Sequence, residues 1–133
     1  MKEYLQERIA SSLQSLGITS DMPVTLEKPR QAAHGDLTTN IAMMLAKGQK
    51  KNPRQFAADI VGRLQIDASL VSRIEIAGPG FINFTFTEKF YRQELSRLLA
   101  HEQMFGRSDV GKGKKTQVEF VSANPTGPLT VGH

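Results

Sequence analysis

The residues best suited to chemistry lie in one short stretch near the carboxyl end of the chain. The β-branched and aromatic segment 117–121 favours a short strand, and the Pro- and Gly-containing segment 124–128 ends it. In parallel α/β sheets, ligands bind beyond the carboxyl ends of the strands. A glycine there lets a ligand approach the backbone, and an imidazole can donate a hydrogen bond to a phosphate oxygen. The stretch therefore favours a phosphate-binding loop with Gly132 and His133 as contacts.

The whole string FVSANPTGPLTVGH at 120–133 closely resembles the signature region of arginyl-tRNA synthetases, which are class I aminoacyl-tRNA synthetases. In that family, a strand ending in Ser-x-Asn-Pro-Thr-Gly-Pro leads into His-x-Gly-His. Thr130 departs from the pattern, because it stands where the family usually has the first histidine. A threonine hydroxyl can hydrogen-bond but cannot become cationic. The residues assigned to the motif are Ala123, Asn124, Pro125, Thr126, Gly127, Pro128, Leu129, Thr130, Val131, Gly132 and His133.

This resemblance implies an arginine-tRNA ligase that activates arginine with ATP and Mg²⁺ and transfers it to tRNA-Arg in protein biosynthesis. Catalysis in this class comes from positioning and charge stabilisation. By resemblance, His133 and Thr130 take the catalytic positions, and Gly132 with His133 binds ATP. Ser122 and Asn124 bind the arginine substrate.

The same resemblance implies that 117–133 is only the truncated start of the catalytic domain. The helix after His133, the Lys-Met-Ser-Lys-type loop and the anticodon-binding region of the family do not occur in this sequence. We therefore expect an amino-terminal fragment that is inactive alone, binds no cofactor by itself and is monomeric.

Two upstream segments also resemble this family. HGDLTTNIAMMLA at 34–46 and AGPGFIN at 77–83 are similar to parts of its additional amino-terminal domain, which contacts the D-loop at the corner of the tRNA. Phe81 and Asn83 match an aromatic-x-amide pattern that reads an exposed base. Gly78 falls where some members carry another polar contact.

Alternation within 81–86 agrees with such a role for this strand. Phe81, Asn83 and Thr85 should project from one face, whereas the apolar residues between them fill the core. A surface aromatic ring can stack on an unpaired base with about 1 to 3 kcal/mol, and an amide can bond its edge. Phe81 packed against the turn, and Asn83 in a strand-edge hydrogen bond, are the structural alternatives. His34 and Asn40 are predicted as local caps.

The remaining pattern predicts an α+β fold, in which helices cover a small, mainly antiparallel sheet, followed by the first strand of a truncated α/β nucleotide-binding domain. We expect residues 1–105 to form the tRNA-binding domain, 106–116 a basic linker and 117–133 the start of the catalytic domain. The first predicted elements are a helix at 2–16, a strand at 23–27 and a loop at 28–36. A second helix follows, with an apolar stripe of Leu37, Ile41, Met44 and Leu45, and a third helix is capped by Asn52-Pro53. A hairpin of 71–76 with 81–86 precedes the last helix, which is capped by Thr87 and has Phe90, Tyr91, Leu95 and Leu98 inward.

Composition limits the other possibilities. The 133 residues are 39% apolar and contain no cysteine, which excludes disulfides and thiolate metal sites. The three histidines are scattered, so we expect no metal site. No secretory or membrane-spanning segment is evident, and we expect a cytoplasmic protein without a membrane partner.

The formal net charge of +4 includes a basic stripe that could contact phosphates or could simply be a solvated surface. Its residues are Lys28, Arg30, Lys47, Lys50, Lys51 and Arg54. Two alternatives to the tRNA-binding domain also stay open. One is the opening of another class I-like nucleotidyltransferase, and the other is a structural interaction domain that does not touch RNA.

Overall fold

The computed structural model describes residues 1–101, 106–109, 111–119 and 127–128. The chain divides into two compact units, Met1–Ala100 and His101–His133. All helices and strands of the described residues lie in the first unit. None of those helices is long and apolar enough to cross a membrane. The domain boundaries at 105 and 116 stay a prediction.

A three-stranded antiparallel sheet forms the centre of the first unit. β1 is Leu37–Thr39, β2 is Val71–Ala77 and β3 is Phe81–Phe86, in the order β1-β3-β2. The predicted hairpin of β2 and β3 is confirmed, with Ala77 opposite Phe81. On the other side of β3, Thr38 lies opposite Asn83. The central position of β3 explains why its sequence FINFTF is the most apolar of the three strands.

Four α-helices accompany the sheet: α1 is Lys2–Ser15, α2 is Ile41–Ala46, α3 is Pro53–Val61 and α4 is Glu88–Ala100. The side chain of Asn52 caps α3, because its Oδ1 accepts hydrogen bonds from the backbone nitrogens of Arg54 and Gln55. Thr87 Oγ1 likewise accepts from the backbone nitrogen of Phe90 at 3.1 Å. Both predicted caps are confirmed.

The core lies between the sheet and the first three helices. Leu5 and Ile9 of α1, Phe56 of α3, and Ile82 and Phe84 of β3 are fully buried. Ser12 is also buried, and its hydroxyl donates a 2.7 Å hydrogen bond to the carbonyl of Ile60. The period of 3.6 in α1 and the period of 2 in β3 thus place their apolar residues inside, as the sequence predicts.

Three local predictions are wrong. Residues 23–27 form no strand, and only Glu27 makes an isolated bridge, to Thr38. Leu37 belongs to β1 rather than to the helical stripe, because its backbone pairs with Phe84 and α2 begins only at Ile41. In so few residues, apolar side chains at helical spacing cannot be distinguished from those of a short buried strand.

The third error is the inward face predicted for α4, which is correct for Phe90 alone among its four residues. This helix has no fully buried residue, and Leu95 is 56% exposed and Leu99 65% exposed. Tyr91 and Leu98 are exposed as well. Phe90 at the start of the helix is half-buried, and its ring packs edge-to-face on Phe86 at 4.9 Å, whereas no described residue of the first unit covers Leu95 and Leu99.

In the second unit, the described residues 106–109 and 111–119 form turns and irregular backbone. Lys112 N donates to Asp109 O at 3.0 Å, and Lys114 N donates to Gly111 O at 2.8 Å. The predicted strand at 117–121 is not formed over Gln117–Glu119, and its remaining residues lie outside the described part. A strand requires a hydrogen-bonded neighbour, which no described residue of this unit supplies.

Candidate nucleic-acid interface

The Gly78-Pro79-Gly80 turn between β2 and β3 is fixed by the start of α3. Arg54 Nη1 donates a 2.8 Å hydrogen bond to the carbonyl of Gly78. Gly80 lies directly on the backbone of Pro53, where an added Cβ would be 2.8 Å from the carbonyl oxygen. Gly80 also has φ of +139°, which only glycine adopts without strain. The turn is therefore held in one place next to α3.

Phe81 follows this turn and is the first residue of β3. Its side chain is 38% exposed, although it begins the central strand of the sheet. A Cβ atom added to Gly78 would lie 3.9 Å from Cδ2 of Phe81. The phenylalanine ring therefore lies beside the turn but stays accessible. Phe81 thus presents an accessible aromatic ring, a surface on which an unpaired base can stack.

Asn83 lies two residues further along β3, on the same side of the strand as Phe81. It is only 4% exposed, although it projects from the same face of the strand as Phe81. Its amide forms no side-chain hydrogen bond within the described part of the chain, and the alternative of a strand-edge bond is therefore not supported. Thr85 on the same face is half-buried, because Gly35 packs against its Oγ1.

Thr38 is the cross-strand neighbour of Asn83 on β1. Its Oγ1 is shielded from solvent and has no hydrogen-bond partner. Among the described residues, the only other such side-chain atom is Arg8 Nε. Directly opposite side chains in an antiparallel pair have Cβ atoms about 4.5 to 5.5 Å apart. Asn83 and Thr38 therefore form a small polar site with unused hydrogen-bonding capacity. Sequence reasoning missed Thr38, because its importance depends on strand register.

Gly78, the third residue assigned to this site, is exposed and has φ of +50°. It can offer a ligand only its backbone, and Arg54 already occupies its carbonyl. The local caps predicted for His34 and Asn40 are not formed. His34 lies exposed in a short 3₁₀ turn, Ala32–His34, and the side chain of Asn40 does not cap α2. Instead, Thr39 Oγ1 accepts from the backbone nitrogen of Ile41 at 3.3 Å.

The segment after His34 has a structural role that sequence reasoning did not assign. Asp36 Oδ2 accepts a 2.7 Å hydrogen bond from the backbone nitrogen of Phe86, and Asp36 Oδ1 accepts one from the hydroxyl of Tyr91. Burial, followed by the hydrogen bond to Asp36, raises the pKa of Tyr91 to about 12. Gly35 allows this approach, because an added Cβ would be 2.7 Å from the carbonyl oxygen of Phe84.

Most of the signature motif lies outside the described residues. This applies to all of the predicted catalytic, ATP-binding and arginine-binding positions, namely Ser122, Asn124, Thr130, Gly132 and His133. Only Gly127 and Pro128 of the motif are described, and neither has a polar side chain. Within the described ranges, no three histidine or acidic side chains come together as a metal site.

Comparison with known proteins points to one family. Residues 3–86 match the family described as "Arginyl tRNA synthetase N terminal domain". The arginine-tRNA ligase of Chlorobium limicola is 49% identical over 132 residues, which are 99% of this chain and 24% of that protein. "Arginine--tRNA ligase 1" of Halalkalibacterium halodurans is 46% identical over 136 residues, covering 100% of this chain and 24% of that protein. The chain thus spans about a quarter of the length of these relatives.

Two solved structures share the fold. The arginyl-tRNA synthetase of Thermus thermophilus has a TM-score of 0.61 at 22% identity, with 71% of this chain and 15% of that chain covered. The enzyme of Plasmodium falciparum has a TM-score of 0.60 at 18% identity, with 73% and 18% covered. Because the family match extends over more than half of the residues, and its fold agrees with the observed sheet and helices, the chain belongs to the arginyl-tRNA synthetase N-terminal domain family.

Proposed function

We propose that this chain is the tRNA-contacting amino-terminal part of an arginine-tRNA ligase. The family match and the relatives named arginine-tRNA ligase support this assignment. Since the chain spans about a quarter of those relatives, activation of arginine with ATP and Mg²⁺ and its transfer to tRNA-Arg belong to the longer protein. We place that protein in the cytoplasm as a monomer.

The accessible ring of Phe81 is the observation that carries the RNA-binding role. Single exposed apolar side chains are common on protein surfaces, so the exposure of Phe81 matters because of where its ring stands. Here the ring stands on a central strand whose preceding turn is fixed to α3 by Arg54 and Gly80. Stacking on an unpaired base of the tRNA D-loop would use the ring without any rearrangement of the backbone.

The polar site of Asn83 and Thr38 supports the same role. A buried polar group without a partner costs about 1 to 3 kcal/mol, which a ligand can recover by supplying a hydrogen bond. Asn83 can both donate and accept, so it can bond the edge of a base that stacks on Phe81. Because Asn83 is 4% exposed, we propose that only its amide end takes part. Gly78 would contribute its backbone nitrogen.

Binding of tRNA-Arg by the 133-residue chain tests the proposal. A filter-binding titration at low salt compares the wild type with Phe81→Ala, Asn83→Ala and the control Leu95→Ala. Leu95 is an exposed apolar residue on α4, away from β3 in sequence. Loss of a stacking contact of about 1 to 3 kcal/mol predicts roughly 5- to 150-fold weaker binding for Phe81→Ala. Leu95→Ala should bind as the wild type does.

Equal binding by Phe81→Ala and the wild type would remove the base-stacking assignment. Circular dichroism and thermal unfolding of each variant would show whether a weaker variant is still folded. Asn83→Ala is expected to keep most of its stability, since no side-chain hydrogen bond within the described residues is lost.

The exposed apolar stripe of α4 favours a second role for a different surface. Tyr91, Leu95, Leu98 and Leu99 recur at helical spacing and are all exposed. We propose that this stripe packs against the rest of the longer ligase. Leu95→Asp with Leu99→Asp should then lower the unfolding temperature of the full-length enzyme more than that of the 133-residue chain. Equal changes in both proteins would contradict this role.

A further inference from the structure

The connection between α2 and α3 is strongly basic. Residues 47–54, with the sequence KGQKKNPR, contain four cationic side chains and no acidic one. Backbone hydrogen bonds join the segment to the end of α2, because Gln49 N donates to Leu45 O at 3.2 Å and Lys51 N donates to Ala46 O at 3.1 Å. We call residues 47–54 the basic turn.

The basic turn lies against the turn that precedes Phe81. Arg54 Nη1 bonds the carbonyl of Gly78 at 2.8 Å, and Gly80 packs on the backbone of Pro53. These two contacts join the carboxyl end of the basic turn to the amino end of β3. A nucleotide stacked on Phe81 would therefore have the carboxyl end of the basic turn, at Pro53 and Arg54, as its neighbour.

The four cations of the basic turn are not equivalent. Lys51 Nζ forms a 2.7 Å salt bridge with Asp59 and lies 5.6 Å from the ring centre of Phe56. The hydrogen bond from Lys51 also holds the pKa of Asp59 below its usual value. Lys51 thus has a structural partner already.

Lys47 and Lys50 are exposed and have no acidic partner within the described part of the chain. Lys50 N donates to Lys47 O at 3.3 Å, so the two residues belong to one tight turn. Lys50 also has φ of +50°, an unusual conformation for a residue other than glycine, asparagine or aspartate. Arg54 bonds only a neutral carbonyl, and its positive charge is not compensated either.

We propose that Lys47, Lys50 and Arg54 bind backbone phosphates of the tRNA next to the nucleotide that stacks on Phe81. This inference rests on the proposed function and adds a phosphate-binding site to it. Phosphate contacts fix the position of a nucleic acid, whereas base contacts select its sequence. The basic turn would hold the strand, and Phe81 with Asn83 would contact the base.

The salt dependence of binding separates the two kinds of contact. Each phosphate contact releases counterions, so its loss reduces the slope of log K against log salt by about 1. The variant Lys47→Gln/Lys50→Asn removes two charges, and asparagine tolerates the left-handed backbone of position 50. Its slope should therefore be smaller by about 2 than that of the wild type. Phe81→Ala should weaken binding at every salt concentration with little change in slope.

Lys2→Gln/Arg63→Gln provides the matched control. It removes the same two positive charges, from the start of α1 and from a position just after the carboxyl end of α3. The long-range effect of net charge is then equal in both double variants. The titrations use a tRNA-Arg transcript at about four salt concentrations, starting near 0.05 M, where electrostatic binding is strong.

The outcomes distinguish this site from the proposed function. A smaller slope for Lys47→Gln/Lys50→Asn alone supports the phosphate site. If the slope of Lys47→Gln/Lys50→Asn is unchanged, or if the control shows an equal decrease, the phosphate site is overturned. Weaker binding by Phe81→Ala would still support the base-stacking role in that case. Absence of tRNA binding by the wild type at the lowest salt concentration overturns both.

Discussion

The hydroxyl of Tyr91 on α4 donates a 2.5 Å hydrogen bond to Oδ1 of Asp36, which lies 55 residues earlier in the chain. The second oxygen of the same carboxylate accepts a 2.7 Å bond from the backbone nitrogen of Phe86. Asp36 therefore joins the segment before β1, the end of β3 and the first turn of α4. This relationship explains why α4 is attached to the sheet although it has no fully buried residue.

Titration of Tyr91 should reveal this bond. Burial and the bond to Asp36 raise the pKa of Tyr91 to about 12, from about 10 in unfolded chains. Because the folded state holds the proton more tightly, the stabilising contribution of Tyr91 is complete below about pH 10 and is lost between about pH 10 and 12. The absorbance of tyrosinate in the wild type minus that in Tyr91→Phe measures this transition. A transition of Tyr91 near pH 10 would contradict its hydrogen bond to Asp36. The substitution Asp36→Asn should lower the pKa of Tyr91.

Removal of the Asp36 carboxylate should destabilise the domain more than removal of the Tyr91 hydroxyl. Hydrogen bonds to charged groups contribute about 1.5 to 3 kcal/mol, and Asp36→Ala loses two of them. Tyr91→Phe loses one exposed bond, with an expected cost of about 1 kcal/mol. Urea unfolding of both single variants and the double variant gives the coupling free energy. Additive effects would show that the two residues do not interact in solution.

Gly80→Ala should destabilise the domain by about 1 to 3 kcal/mol. The new Cβ would be 2.8 Å from the carbonyl oxygen of Pro53, at a φ that alanine rarely adopts. Gly48→Ala is the control, because its nearest atom is 3.6 Å away and its φ is not in the left-handed region. Thermal unfolding should show a lower midpoint only for Gly80→Ala. Equal midpoints would mean that the turn does not pack on α3.

Arg54→Gln should loosen the turn that positions Phe81. The lost bond to the Gly78 carbonyl contributes about 1 kcal/mol, which corresponds to roughly 5-fold faster local opening. Hydrogen exchange of the Gly80 amide, which bonds the Ala77 carbonyl at 3.2 Å, reports this opening. Arg63→Gln should leave the rate unchanged. An unchanged rate in Arg54→Gln would show that the arginine does not restrain the turn.

Local sequence signals were sufficient for the elements with a strong period or a clear cap. The cap of α3 by Asn52 and the hairpin around Gly78-Pro79-Gly80 follow from residue types alone. Leu37 and the segment 23–27 were misassigned, because three to five residues do not distinguish a strand from other extended or helical structure. The prediction that α4 faces inward is wrong beyond Phe90, since periodicity shows that a helix has an apolar side but not what covers it.

The candidate site was predicted in part. Phe81 follows from strand alternation and from the resemblance of 77–83 to a known domain. The burial of Asn83, its pairing with Thr38 and the contact of Arg54 with Gly78 depend on tertiary packing over as many as 45 residues of sequence, which local patterns do not encode.

Amide chemical shifts of the ¹⁵N-labelled chain, recorded during titration with a tRNA-Arg transcript, test the central claim most directly. We expect the largest changes at Gly78, Gly80, Phe81 and Asn83, with smaller changes at Lys47 and Lys50. The amides of α4 should change little. Changes confined to α4, or spread evenly over all basic residues, would contradict RNA binding through the β2–β3 turn.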